Sequence, residues 1–371
     1  MKILHLPTSV GGQAFGLSRG ERAIGLDSRV LTLDANSLAY PADYAWQLDG
    51  RTYPARLFGH AAAFLRYRSG FDAYHFNYGS SLIHSLNRGV MLWDLPFYAS
   101  GARKVFTFNG CDARQKYPTM VRAGESGSPA ACLDAACYGG MCNSGEMDRN
   151  RRRAIDKAAR HADHFFAVNP DLLDFLPAEM TSFLPYTVAG FSDIPARAVP
   201  LAPQGRVRIV HAPTQQVAKG SRYVLAALER LKDEFPGRVE LVVVEGRPHE
   251  EALRIFATAD LFIDQVLIGW YGAAAVEAMK MAIPVVAFVN PAHLARTPAR
   301  FAADLPVISA GPFDLVETLR PLLREPERLT ELGSRSRAFV ERWHDPRRLA
   351  TISAAVYEGR RPPPLEAVCA E

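Results

Sequence analysis

The sequence predicts an α/β protein built from two doubly wound units. Three observations carry that expectation. The chain is 371 residues long, and at about 150 residues per domain that is most simply two domains. Short apolar runs, of the kind buried on both faces of a parallel sheet, alternate with helix-like segments in two separate series. Between the series, from Tyr186 to Gly205, the alternation stops, and Pro195, Pro200 and Pro203 punctuate a stretch of small residues. Proline blocks both helix continuation and ladder donation, so this stretch reads as the linker.

The first series opens on Lys2 to Leu6, a buried-strand run, followed by Ser9-Val10-Gly11-Gly12-Gln13, a helix from Phe15 to Ile24 and a strand from Ser28 to Leu33. That is a βαβ unit. Tyr74 to Asn77 and Lys104 to Asn109 read as strands, Arg149 to Ala162 as a helix and His164 to Val168 as a strand. Tyr40 to Arg56 has no clear period and stays unassigned. The second series begins with a strand from Arg206 to His211 and a helix from Ser221 to Phe235. That helix has Val224, Leu225, Leu228, Leu231 and Phe235 on one face. Strands over Val239 to Val244, Leu261 to Ile263 and Pro284 to Phe288 then alternate with helices over His249 to Ala259, Ala273 to Met281 and Phe313 to Arg324. Arg360-Arg361-Pro362-Pro363-Pro364 reads as a loose tail.

Composition removes several classes. Hydrophobic residues are 48% and charged residues 22%, ordinary for a chain with a core. The 43 basic residues against 39 acidic ones leave a net charge of +4, too mild to point to nucleic acid. No apolar run approaches the roughly 18 residues of a membrane span. The first residues, Met1 to Pro7, are too soon broken for a secretory signal. Five cysteines are an odd number for a disulfide framework. The expectation is a soluble, cytoplasmic protein.

Ligands of open parallel sheets bind beyond the carboxyl ends of the strands, and two such units facing each other would make a cleft there. Three segments follow strands and could carry chemistry. Gly11-Gly12 either lets a phosphate approach the backbone or simply serves a tight turn of positive φ. Lys219, in His211-Ala212-Pro213-Thr214-Gln215-Gln216-Val217-Ala218-Lys219-Gly220-Ser221, either meets a diphosphate as a point charge or is a solvated surface lysine. The Lys-Gly order is not that of a P-loop, and no GxGxxG follows Gly12. The third segment runs from Leu261 to Val286 through Asp264-Gln265 and Gly269-Trp270-Tyr271-Gly272-Ala273, with Glu277 one turn into a helix of small and apolar residues. A buried carboxylate needs donors: sugar hydroxyls, or an internal ion pair.

These segments, in this order, resemble the GT-B glycosyltransferases, most closely the large retaining family called GT4. In that family an early Gly-Gly loop, a Lys-Gly before a helix and an EGFG…EAMA…G-PV segment recur. Gly11-Gly12, Lys219-Gly220 and Gly269-Trp270-Tyr271-Gly272…Glu277-Ala278-Met279…Pro284-Val285 stand at those places. The resemblance covers most of the chain and implies a GT-B architecture. Residues 1–188 would be the acceptor-side Rossmann-like domain, 206–344 the nucleotide-sugar donor domain, and 345–358 a last helix crossing back to the first. It implies transfer of a sugar from a nucleotide-diphosphate sugar to a hydroxyl of a glycan or lipid-linked acceptor, with retention, in surface polysaccharide or glycolipid synthesis. A non-catalytic binding protein or an epimerase of the same fold is the alternative.

The family's roles transfer position by position. Gly12 would approach the donor diphosphate or sugar, Lys219 would neutralise the diphosphate, and Glu277 would hold the ribose hydroxyls. Tyr271, Gly272 and Ala273 would line the diphosphate and sugar. Front-face attack, with the leaving phosphate as base, is what the family implies for retention. A nucleotide sugar is the only small molecule required; neither a metal nor another cofactor is expected. Three positions depart from the family: Gly269 stands for the first glutamate, Thr214 for an arginine, and Asn109 for a histidine. Asp264-Gln265 could partly replace the missing glutamate. Phe108-Asn109-Gly110-Cys111-Asp112-Ala113-Arg114, with Asp94-Leu95-Pro96 before it, resembles the GSD-x-R loop of a bacterial subgroup; the resemblance implies a catalytic role for Asn109, beside Lys219 and Glu277, and places Asp112 and Arg114 on the acceptor side.

Other features stand outside that frame. Cys132, Cys137 and Cys142 are each separated by four residues, a spacing that zinc tolerates and that chance thiols in a glycine-containing loop also explain. Arg149, Arg151, Arg152, Arg153, Lys157 and Arg160 would cover one side of a helix, either solvated or facing an anionic membrane on its inner, cytoplasmic side. His75, in the strand from Tyr74 to Asn77, is the histidine that could face the cleft and is placed on the acceptor side.

Overall fold

The computed structural model describes residues 1–34, 38–125, 127, 129–197 and 206–370. They form two compact units, each with its own parallel sheet. Unit 1 comprises Met1–Tyr117, Ala135–Ala189 and Asp345–Glu371, and unit 2 comprises Pro118–Asp134 and Gly190–His344. Of the expected linker, Pro200 and Pro203 lie outside the described residues, while Gly190 to Arg197 counts with unit 2.

In unit 1 the strands are β1 (Lys2–Leu6), β2 (Asp27–Thr32), β3 (Tyr44–Ala45), β4 (Ala73–Asn77), β5 (Arg103–Phe108), β6 (His164–Ala167) and β7 (Thr181–Phe183). They pair in the order β3-β2-β1-β4-β5-β6-β7, all parallel. The strand order reverses between β1 and β4. The central strands are buried on both faces, which is why they read as continuous apolar runs rather than alternating ones. Aromatic rings fill one layer: Phe76 stacks on Phe106 at 4.6 Å, and Phe108 meets the Phe165 edge at 5.1 Å. The helices are α1 (Gln13–Ala23), α2 (Tyr53–Tyr67), α3 (Lys116–Glu125) and α4 (Glu146–Ala159). Of these, α3 runs from unit 1 into unit 2.

In unit 2, β8 (Val207–His211), β9 (Val239–Val243), β10 (Leu261–Ile263), β11 (Val285–Ala287) and β12 (Ile308–Ser309) pair in the order β12-β11-β10-β8-β9, again all parallel. Here the order reverses between β8 and β10. The helices are α5 (Gln216–Lys219), α6 (Ser221–Glu234), α7 (His249–Phe256), α8 (Ala273–Lys280), α9 (Pro291–Leu294), α10 (Ala299–Asp304), α11 (Leu315–Arg324) and α12 (Arg328–Trp343). Val224, Leu228 and Leu231 of α6 and Leu319 and Leu323 of α11 pack on Ile209, Leu261 and Ile263. Ala131 is buried in the same core, so the stretch after α3 contributes to unit 2.

The chain returns to unit 1 through α13 (Pro346–Tyr357), opened by Asp345, whose carboxylate caps the Arg347 N–H at 2.8 Å. Helix α13 packs along α1. The expectation of a loose tail is corrected: α14 (Leu365–Val368) follows, with Leu365 and Cys369 buried. Helix α13 stops at Tyr357, with Gly359 at φ +76° just beyond it, and the prolines that follow do not free the chain, because Leu365 and Cys369 after them are buried.

Candidate functional site

In unit 2 the candidate site gathers at the strand-order reversal between β8 and β10, where ligands of open α/β sheets bind. His211 ends β8 directly opposite Ile263, the last residue of β10. Its Nδ1 lies 2.8 Å from the Ile263 carbonyl and its Nε2 2.9 Å from the Ser221 hydroxyl. The carbonyl can only accept, so Nδ1 carries the proton and Nε2 accepts from Ser221. Burial holds the imidazole below its ordinary range, so it is neutral and braces the end of β10 against the start of α6.

The loop after β8 leads into the single turn α5, whose last residue is Lys219. Of the two readings of Lys219, the solvated surface lysine does not hold. Its ammonium is mostly buried and forms an ion pair with Asp264, which follows β10 and is fully buried. The second oxygen of Asp264 accepts from the Gly272 N–H at 2.6 Å, at the N-cap of α8. One carboxylate therefore satisfies both the lysine and the positive end of a helix, a setting that favours anions. Gln265 does a different task. Its side-chain oxygen accepts from the N–H groups of Leu267 and Ile268 at 3.0 and 2.6 Å, and its amide donates to the Phe288 carbonyl at 3.1 Å and to that of Trp270. It shapes the loop that carries Gly269 and Gly272.

Glu277, one turn into α8, is buried, and its Oε1 lies 2.6 Å from Nε2 of His249, the first residue of α7. Burial raises the carboxyl above its ordinary range, and the histidine contact opposes that shift. The internal partner for this carboxylate is thus His249, a residue that sequence reasoning missed because 28 positions separate the two. Gly269 has φ +86°, and a Cβ there would come within 2.9 Å of His293 Nδ1 and 3.1 Å of Asn290 Cβ. The family's first glutamate has neither the backbone nor the space at this position. Thr214 is exposed on the loop after β8, and Ala273 is half-buried at the start of α8. Tyr271 differs from the expectation: its side chain is buried, stacked on Trp270 at 5.0 Å, with its hydroxyl 2.9 Å from His344 Nε2. It supports the loop from behind.

Unit 1 holds the remaining expected residues. Gly11 and Gly12 have φ +61° and +72°, and a Cβ on Gly12 would meet Ala189 at about 3 Å. The positive φ values call for glycine at both positions, and Ala189 and Tyr40 crowd the Cβ direction of Gly12. Asp112 receives the backbone N–H groups of Asn109 and Gly110. Burial nevertheless pushes its carboxyl up to about 6 against those hydrogen bonds. Arg114 makes a buried two-point pair with Asp171, at 2.6 and 2.9 Å. The Asn109 carbonyl accepts from Asn169 at 2.6 Å and Tyr186 at 3.2 Å, while its side-chain Oδ1 is buried without a hydrogen-bond partner. Asp112 and Arg114 hold the loop; Asn109 keeps an acceptor atom to spare.

His75 is corrected from its cleft-facing expectation. It is fully buried, with Nδ1 2.6 Å from the Tyr357 hydroxyl and Nε2 2.6 Å from Thr107 Oγ1, and its ring stacks on His5 at 4.7 Å. His5, Glu21 and His75 are, among the described residues, the one group of three or more His, Cys, Asp or Glu close enough to share an ion. His5 Nε2, both ring nitrogens of His75 and both Glu21 oxygens are already engaged, while His5 Nδ1 is buried without a hydrogen-bond partner. Glu21 meets His5 and accepts from Ser28, Ser353 and Tyr357 at 2.7–2.8 Å, tying α13 to α1. Burial raises the Glu21 carboxyl, but His5 and these donors outweigh burial and hold it below the ordinary range. The cysteines show no such gathering. None of the five is in a disulfide, and the buried Cys142 receives a weak hydrogen bond from Arg151 at 3.7 Å.

The fold is the GT-B fold of nucleotide-sugar glycosyltransferases, two Rossmann-like units in one chain. Among solved structures the chain is similar to sucrose-phosphate synthase from Thermosynechococcus elongatus. That likeness has 16% identity and a TM-score of 0.60, and covers 97% of this chain and 99% of that one. It is also similar to the catalytic domain of starch synthase IV from Arabidopsis thaliana, bound to ADP and acarbose, at 12% identity and a TM-score of 0.58 over 100% of both chains. A Listeria monocytogenes protein assigned provisionally as a UDP-N-acetylglucosamine 2-epimerase matches at 11% identity and a TM-score of 0.54, covering 98% of each chain. At these identities the likeness is one of fold. No protein-family model and no curated protein sequence matches the chain.

Proposed function

We propose that this chain transfers a sugar from a nucleotide-diphosphate sugar to an acceptor hydroxyl, with retention at the anomeric carbon. One observation carries the reading. At the β8/β10 reversal, Lys219, Asp264 and the Gly272 N–H meet at the N-terminus of α8, with the buried Glu277 one turn further on. A diphosphate arriving there would share Lys219 with Asp264 and face the positive end of α8. Glu277, positioned by His249, would accept hydrogen bonds from the ribose hydroxyls.

In the transfer step the bond from the anomeric carbon to the diphosphate oxygen breaks, and its electron pair stays with the phosphate. The acceptor oxygen forms the new bond on the same face and passes its proton to the departing phosphate oxygen. Lys219 and the helix end stabilise the charge that develops there, at fixed positions that need no reorganisation. In this reading neither a metal nor a further cofactor takes part. In unit 1, the spare Oδ1 of Asn109 would accept from a hydroxyl of the acceptor, on a loop held by Asp112 and Arg114. The acceptor class is a glycan or lipid-linked sugar of surface polysaccharide or glycolipid synthesis, in the cytoplasm.

The closed position at Gly269 favours a second reading, in which the nucleotide is bound without transfer or the sugar is epimerised. A panel of UDP-, GDP- and ADP-sugars in thermal melts separates the outcomes. Stabilisation by one donor, lost in Glu277→Ala, is expected. If no nucleotide sugar shifts the transition, both readings fail. Release of free nucleotide with a new glycoside supports transfer, and an epimer formed without any acceptor supports the second reading.

A further inference from the structure

Helix α2 is apolar on two opposite faces. Gly59, Ala63 and Tyr67 are buried against unit 1. At about 100° per residue, Pro54, Leu57, Phe58, Ala61 and Leu65 fall within roughly 100° of arc on the other side. All five are exposed; Phe58 is 76% exposed and Leu65 65%. Residues 82–99 run alongside. The His60 ring meets the Leu82 carbonyl at 2.6 Å, the Arg88 guanidinium lies 4.6 Å over the Tyr53 ring, and Phe64 packs on Tyr98 at 5.6 Å. This flank adds Trp93 and Phe97, which are 60% and 62% exposed. A contiguous apolar surface of this kind on a soluble unit marks a contact site.

Its charge says what kind. From Arg51 to Phe71 the chain carries Arg51, Arg56, Arg66 and Arg68 and no acidic residue. Arg56 reaches Asp34, while Arg51, Arg66, Arg68 and the neighbouring Arg88 are exposed around the patch. A second copy of the chain, docked by a two-fold axis, would set these arginines against each other. An anionic lipid surface meets both features at once: phosphates for the arginines, and the acyl boundary for Leu57, Phe58, Leu65 and Trp93. The basic helix singled out in the sequence lacks the second feature. On α4, Arg151 is buried against Asp148, the exposed residues include Glu146 and Asp156, and no large apolar side chain is exposed.

We propose that this face of unit 1, built on α2 and flanked by Trp93 and Phe97, lies on an anionic bilayer. The attachment is peripheral; among the described residues no helix is long and apolar enough to cross a membrane. The proposal does not depend on the sugar-transfer reading.

The test is co-sedimentation of the full chain with vesicles of phosphatidylglycerol and phosphatidylcholine against vesicles of phosphatidylcholine alone. At least tenfold stronger partition to the anionic vesicles is expected, falling at least tenfold in Phe58→Ser/Leu65→Ser and in Arg66→Gln/Arg68→Gln. Melting temperatures identify any variant that fails to fold. The wild-type chain gives an independent readout: Trp270 and Trp343 are buried and Trp46 is half-buried, so a blue shift of emission on anionic vesicles should come from Trp93 and vanish in Trp93→Phe. Equal partition to both vesicle types, or no blue shift, overturns the proposal. So does a dimer in light scattering that the Phe58→Ser/Leu65→Ser variant dissolves, since the patch would then belong to a second copy.

Discussion

Replacing Asp264 with Asn tests the logic of the unit 2 site most directly. Asp264 is fully buried and neutralises Lys219, whose side chain keeps 13% exposure. Removing one partner of a buried pair costs about 3–5 kcal/mol, and the residual exposure of Lys219 places the expected loss near the lower end, about 3 kcal/mol. For a unit of this size that is a fall of roughly 6–12 °C in melting temperature. The same change should improve binding of a nucleoside diphosphate. In the wild type the diphosphate must share Lys219 and the Gly272 N–H with a carboxylate already in place; in Asp264→Asn the lysine is left without its counter-charge. If half of the lost interaction is recovered, about 1.5 kcal/mol, affinity for UDP, GDP or ADP rises roughly tenfold. Melts and titration calorimetry with the three nucleotides measure both halves. An affinity that falls as far as in Lys219→Ala would show that Asp264 itself holds the ligand, and the competition argument would be wrong.

Three further outcomes follow from the structure. Glu277→Gln should weaken nucleotide binding about tenfold while flattening the pH dependence of stability. The wild-type carboxyl is raised in the fold, so the folded state binds the extra proton, and stability falls as pH rises from the ordinary carboxylate range through the raised value. Asp112→Asn should remove a similar fall between about pH 4 and about pH 6 in unit 1, seen in melts at stepped pH, because Asp112 is pushed up to about 6. Unchanged pH profiles in these variants would contradict the assignments. Gly269→Glu, the change that rebuilds the family motif, should destabilise by about 2 kcal/mol or more without raising transfer. Positive φ and His293 oppose it; a stable, more active variant would refute this.

Helix α2 shows where pattern reading stops. Its second, exposed apolar face leaves no single polar side, and the stretch left unassigned in the sequence, Tyr40 to Arg56, overlaps only the first turn of this 15-residue helix. Reading α4 as basic along one broad side missed that Arg151 turns inward to Asp148, a distinction that depends on which side packs. The short strands of unit 2 were legible because apolar runs bounded by glycine and proline have few alternatives.

Local chemistry along the chain determined the alternation of strands and helices, the division into two α/β units and the positions of Lys219, Asp264 and Glu277 just beyond strand ends. Each of these depends on neighbours in sequence: apolar runs, turn residues and the residue after a strand. Which partner each charge takes was decided only by tertiary packing. Asp264 reaches Lys219 across 45 positions and His249 reaches Glu277 across 28, while His75 turns inward to Tyr357 across 282. These pairings follow from strand order, which brings β8 beside β10 and the returning α13 beside α1. Strand order depends on contacts far apart in the chain, and no local pattern encodes it.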